Sequence, residues 1–114
     1  MSCINDGEGI NLFLQTKSGV KLVCALFDTG ASITLIQPYL QPQLGQHVGY
    51  MELRGYQANS PSVTVPIYNI QISLDGQTWK TIEAGITTNM AEPMILSPQN
   101  IPNTTFVVTS NQQG

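Results

Sequence analysis

An aspartate that ends an apolar strand is the residue of this chain best placed to do chemistry. It lies in Leu26-Phe27-Asp28-Thr29-Gly30-Ala31-Ser32, where a threonine, a glycine and two small residues follow the acid. A carboxylate can take a proton from water or give one to a substrate, so it can serve as general base or general acid. The bland alternative is an ordinary turn, because Asp and Gly both favour turns, and the tripeptide alone fits either reading. Its surroundings separate the two. Val23, Ala25, Leu26 and Phe27 precede it and Ile33, Leu35 and Ile36 follow, which sets Asp28 within a core region rather than on a surface loop.

Other chemistries lack the residues to carry them. His47 is the only histidine, and no Cys or carboxylate cluster at ligand spacing joins it, so neither a metal nor a cofactor is expected. Lys17, Lys21, Arg54 and Lys80 are the only basic side chains, and the formal charge is −3. Scattered singly, they cannot neutralise a row of phosphates, which argues against a nucleic-acid partner.

The elements around Asp28 read as short strands broken by turn residues, and no window shows helical apolar spacing. The expected class is all-β, with at most one short helix. Residues 10–15 and 20–27 flank Thr16-Lys17-Ser18-Gly19, where glycine can take the positive φ of a tight hairpin. A third strand is expected over 32–36, and an irregular stretch over 37–49, which holds Pro38, Pro42 and Gly45. Strands at 48–54 and 62–74 enclose a polar segment, 55–61, that reads as a projecting hairpin. In the second of these strands the apolar parity changes between Ile67 and Ile70, as a bulge or bend requires. Asp75-Gly76 suits a two-residue type I′ turn onto a strand over 77–87. Met94-Ile95-Leu96 forms an apolar triplet, Ser97-Pro98 can open a helical turn, and 104–109 is a last strand.

With 114 residues the chain fits one domain, 1–114, with 1–8 and 110–114 as flexible tails. Hydrophobic residues make up 41% and charged ones 10%, enough apolar material for a core and a surface that relies on neutral polar groups. Cys24 lies inside an apolar strand pattern, and it and Cys3 read as reduced thiols. No apolar run approaches the roughly 20 residues of a membrane span, and the start is not signal-like, which points to a protein that is not secreted.

The stretch around Asp28 resembles the active-site segment of the retropepsins, the retroviral aspartic proteases. Their pattern is a hairpin, an apolar strand, Asp-Thr/Ser-Gly-Ala and a second apolar run. The resemblance covers roughly 10–108: the flap-like hairpin near 55–61 and the apolar triplet before a short helical turn follow in the family's order. Ser97-Pro98-Gln99-Asn100-Ile101-Pro102 departs from the Gly-Arg/Asn that most members carry there and resembles the foamy-virus proteases. Ser32 replaces the Asp of many members, and the Arg that such an Asp would pair with is missing as well. Their joint absence leaves no stranded buried charge, and implies a dimer with fewer charged contacts.

What the resemblance implies is an aspartic endopeptidase with a half-barrel fold, active as a homodimer on an extended polyprotein substrate, in host cytoplasm or virion. The reaction needs two carboxylates about 3 Å apart sharing a proton. This chain has one motif, so the second Asp28 must come from a second copy. By resemblance Thr29 hydrogen-bonds across the two-fold axis and Gly30 leaves room for substrate backbone. Leu26, Ala31, Ser32, Ile33, Leu35, Met94 and Ile95 would line the substrate pockets, and Tyr56, Gln57 and Ala58 would form the closing flap. Three rival readings remain open: a catalytically weak retropepsin-like module for dimerisation or peptide binding, a cellular enzyme of the same chemistry, and a β-sandwich binding domain.

Overall fold

The computed structural model describes residues 9–53 and 62–100. The sequence readings on 1–8, on the flap residues Tyr56, Gln57 and Ala58, on the strand at 104–109 and on the tail lie outside the described residues. Seven strands appear in order: β1 (Gly9–Thr16), β2 (Gly19–Phe27), β3 (Thr34–Ile36), β4 (His47–Leu53), β5 (Val63–Ser73), β6 (Trp79–Ile86) and β7 (Met94–Leu96). The only helical element among the described residues is one 3₁₀ turn, Pro38–Leu40. The fold is all-β. No described helix is long and apolar enough to cross a membrane.

The strands run side by side as β1-β2-β7-β3-β6-β5-β4, and an additional β1–β5 pairing closes the first six into a barrel. Closure leaves β4 outside the ring, paired to β5 alone. β7 lies between the consecutive strands β2 and β3, parallel to β2 and antiparallel to β3. The link from β2 to β3, which carries Asp28, must therefore pass over the end of β7.

Period-2 burial fills the barrel. Ile10, Leu12 and Leu14 of β1, Val23 and Ala25 of β2, and Ile70 and Ile72 of β5 are each 1% exposed or less. Met94 and Leu96 of β7 join them. Each such Leu, Ile or Met contributes about 1.5–3 kcal/mol relative to an exposed position. The β1–β2 hairpin closes at Thr16↔Gly19 with Lys17-Ser18 as its loop, and Gly19 has φ 126, as the sequence expects. Thr16 Oγ1 donates to the Gly19 carbonyl at 2.6 Å and accepts the Ser18 N–H at 3.2 Å.

Three expectations are corrected. The turn after β5 is not a two-residue hairpin: Ser73 pairs with Trp79, leaving residues 74–78 as the loop. The Asp75 carboxylate organises it, accepting N–H groups from Thr78 (2.7 Å) and Gln77 (2.8 Å) and the Ser73 hydroxyl (2.9 Å). A side chain that offers its own acceptor competes with the two-residue turn. Secondly, the buried parity of β5 does change, from Val65 to Ile70 and Ile72, but the register shift beside it lies in β4, between His47 and Gly49, opposite Tyr68 and Ile67. The edge strand can bulge there because it has a single partner to satisfy. Pro66 sits where β5 pairs with β4 but not yet with β6, so its missing donor costs little. Thirdly, Cys24 is disulfide-bonded rather than reduced. Strand alternation puts Val23 and Ala25 in the core and leaves Cys24 half-buried on the other face, where a second thiol can reach it. The one other cysteine, Cys3, lies outside the described residues.

Candidate active site

Asp28 follows the last residue of β2, and its position is set by backbone bonds on both sides. Its N–H donates to the Leu96 carbonyl at 3.1 Å, extending the β2–β7 ladder by one step. Its carbonyl accepts the Ala31 N–H at 3.1 Å, closing a β-turn. Its carboxylate Oδ1 accepts the Gly30 N–H at 2.9 Å, an Asx-type contact. The string is thus a turn, as the bland reading has it, and it lies at the surface rather than within the core as the flanking apolar residues suggest: Thr29, Gly30 and Ser32 are exposed and Asp28 is half-buried, held in place by the turn.

That carboxylate opens into a cleft of about 290 Å³ lined by Asp28, Gly30, Ala31, Ser32, Ile33, Leu35, Met51, Leu53, Asn89, Met90 and Ile95. One acid therefore faces a mostly apolar wall. A cross-strand row explains that wall. Leu26 of β2 pairs with Ile95 of β7, Ile95 with Leu35 of β3, and Leu35 with Gly85 of β6, so the four share one face. β4 and β5 come over this row, and a Cβ on Gly85 would lie 2.9 Å from both Leu35 Cδ2 and Val65 Cγ1. Glycine at 85 is what lets Leu35 lie beneath the hairpin.

Of the residues expected to touch substrate, Gly30, Ala31, Ser32, Ile33, Leu35 and Ile95 line the cleft. Leu26 does not, standing at the far end of the row, one strand beyond Ile95. Met94 does not either. It is fully buried, because the alternation of β7 turns Met94 and Leu96 into the barrel and only Ile95 outward. Thr29 and Ser32 are exposed. A Cβ on Gly30 would meet only Asp28 Oδ1, at 3.4 Å, so this backbone faces open cleft as expected.

The sequence reading missed four wall residues: Met51, Leu53, Asn89 and Met90. Alternation in β4 could have found the first two, which share a half-buried parity between exposed Glu52 and Tyr50. Asn89 and Met90 carry no local signal, since only the packing of loop 87–93 brings them to the cleft.

The segment after β7 supports the Asp28 loop. Ser97 is fully buried, and its Oγ donates to the Ala31 carbonyl at 2.8 Å and accepts the Gln99 N–H at 3.2 Å. Its N–H donates to Thr34 Oγ1 at 3.0 Å, and the Thr34 hydroxyl donates to Asn100 Oδ1. The hydroxyl of Ser97 caps a turn closed by the Asn100 N–H on the Ser97 carbonyl (3.1 Å), as the sequence expects. Among the described residues no group of three His, Cys, Asp or Glu side chains comes together to hold a metal.

No protein-family model matches the chain, and no curated protein sequence matches it. Among solved structures it is similar to a protein of unknown function (DUF785) from Legionella pneumophila. The identity is 16%, the TM-score is 0.50, and the match covers 85% of each chain. This likeness concerns the fold, an all-β barrel, and carries no activity with it.

Proposed function

We propose that this chain is an aspartic endopeptidase of the retropepsin kind, working as a two-fold homodimer in which each copy supplies one Asp28. The observation that carries the reading is a carboxylate held by the Gly30 N–H on the wall of a mostly apolar cleft in which Asp28 is the sole acid among the lining residues. Hydrolysis of a peptide bond by acids alone needs a second carboxylate, and a second copy placed about a two-fold axis beside Thr29 brings one.

In the dimer, two carboxylates about 3 Å apart share one proton, because two adjacent charges cannot both persist. The ionised member takes a proton from a water between them, and the resulting hydroxide attacks the scissile carbonyl carbon. The protonated member gives its proton to the carbonyl oxygen. The first carboxyl then gives the proton it took from water to the nitrogen, the C–N bond breaks, and a hydroxyl of the tetrahedral diol gives its proton to the second carboxylate as the carbonyl re-forms, returning the pair to its starting state. The substrate lies extended, its main chain hydrogen-bonded and alternate side chains entering the apolar cleft. A polyprotein of viral or retroelement origin is the natural substrate in this reading.

The test is cleavage of the polyprotein sequence flanking this domain by the purified chain, with a pepstatin-type inhibitor as control. Wild type should cleave, and Asp28→Asn should not while keeping its fold. Equal cleavage by both would sink the assignment. If neither cleaves and sedimentation shows a dimer, the peptide-binding reading replaces it.

A further inference from the structure

Gln37 follows β3 at the N-cap position of the 3₁₀ turn Pro38–Leu40, yet its side chain makes no capping bond there. It reaches instead across to loop 87–93. Its Nε2 donates to the Met90 carbonyl at 3.0 Å and to the Glu92 carbonyl at 2.9 Å, and its backbone N–H donates to the Pro93 carbonyl at 3.0 Å. Three bonds from one residue thus hold the returning half of that loop. The outgoing half is held by Thr87, whose N–H donates to the Ile36 carbonyl at 3.1 Å and whose Oγ1 accepts the Asn89 N–H at 3.0 Å. Between these anchors stand Asn89 and Met90, two wall residues of the Asp28 cleft.

We infer that Gln37 is a specificity-determining positioning residue: its carboxamide clamps loop 87–93 so that Asn89 and Met90 form a fixed wall of the substrate cleft. The inference rests on the proteolytic reading of that cleft. A primary amide suits the task because a single nitrogen carries two N–H groups, one for each carbonyl, without bringing a charge beside an apolar pocket. Leucine has the shape without the donors. Glutamate has the reach, but its ionised carboxylate would face two carbonyl oxygens, and only its protonated form can donate. Gln37 is not among the residues that line the cleft, so its removal acts on which side chain fits there, not on the chemical step.

The experiment compares wild type, Gln37→Leu and Gln37→Glu on two peptides that differ only in carrying Leu or Ala beside the scissile bond. For Gln37→Leu the Leu-over-Ala ratio of kcat/KM should fall about tenfold, the scale of pocket discrimination for small apolar groups. The change should appear in KM, with kcat on the Ala peptide kept. For Gln37→Glu the ratio should be low at pH 7 and recover in part as the pH falls to about 4, where a glutamate carboxyl is about half protonated and its single O–H can replace one of the two N–H donors. Equal losses on both peptides, or a Gln37→Glu ratio that does not respond to pH, overturn the inference. The Met90 methyl resonance and the amide exchange of residues 89–92 are read in parallel. If wild type cleaves neither peptide, the proteolytic reading fails by itself. The clamp is then judged on those two signals: faster exchange in Gln37→Leu upholds it, and unchanged exchange overturns it.

Discussion

Ser97 Oγ donates a hydrogen bond of 2.8 Å to the carbonyl of Ala31, joining the segment after β7 to the turn that carries Asp28. Both Ser97 and Thr34, its other partner, are fully buried, and the network continues to Asn100. In the proposed retropepsin reading, this is where many members of that family would hold an Asp–Arg pair. A neutral network braces the loop here instead. Neutral groups avoid the desolvation of two buried charges, a penalty that can exceed their mutual attraction.

Ser97→Ala should therefore destabilise the fold by about 1–3 kcal/mol, the cost of leaving a buried partner unsatisfied. Thr34→Val, nearly isosteric, should fall in the same range because it removes both an acceptor and a donor. Urea unfolding of the two single variants and the double variant checks this. The double variant should lose less than the sum, since the two hydroxyls serve one network. Strict additivity would mean that they act separately.

Activity should depend on assembly. If each active unit needs two copies of Asp28, specific activity on a peptide substrate rises in proportion to protein concentration below the dimer dissociation constant and levels off above it. Activity measured across a dilution series, beside sedimentation at the same concentrations, checks this. Constant specific activity in samples that sediment as monomer would remove the two-chain mechanism.

Gly85→Ala should disturb the cleft wall without touching Asp28. The new Cβ would stand 2.9 Å from Leu35 Cδ2 and from Val65 Cγ1, and the β-branched Val65 has little rotamer freedom with which to retreat. A loss of about 1–3 kcal/mol is expected from overpacking. The displaced Leu35 should also raise KM for peptides with large side chains. Thermal unfolding and the KM series report these two effects separately.

Asp75 gives a pH signature distinct from catalysis. The N–H groups of Thr78 and Gln77, together with the Ser73 hydroxyl, hold its carboxyl down from 3.8 to about 2. A folded pKa below the unfolded one means that the ionised form favours the native loop, so its stabilisation is present above pH 4 and is lost as the pH falls towards 2. The melting-temperature difference between wild type and Asp75→Ala should shrink through that window. A difference that stays constant from pH 7 to 2 would show that the carboxylate charge has no part in holding the loop.

The strands, the first hairpin and the Asp28 motif were legible because each is written locally. Period-2 alternation marks β1 and β2, Gly19 marks their turn, and an acid after an apolar run marks the cleft. Loop 74–78 was misread because Asp75-Gly76 satisfies a two-residue turn equally well by composition. Which turn forms depends on whether the Asp75 side chain captures Gln77 and Thr78, and that is settled by where Ser73 pairs with β6.

By itself the sequence determined that this is a β domain with a single Asp-Thr-Gly, since residue type and alternation act over a few neighbours. Only the tertiary structure decided which residues face that aspartate. The insertion of β7 between β2 and β3 turns Ile95 to the cleft and Met94 to the core, and the same face of β2 that carries Leu26 carries the disulfide-bonded Cys24. Met90 reaches the cleft through bonds from Gln37, more than fifty residues earlier in the chain. Such contacts follow from barrel closure and strand order, which no local stretch of sequence encodes.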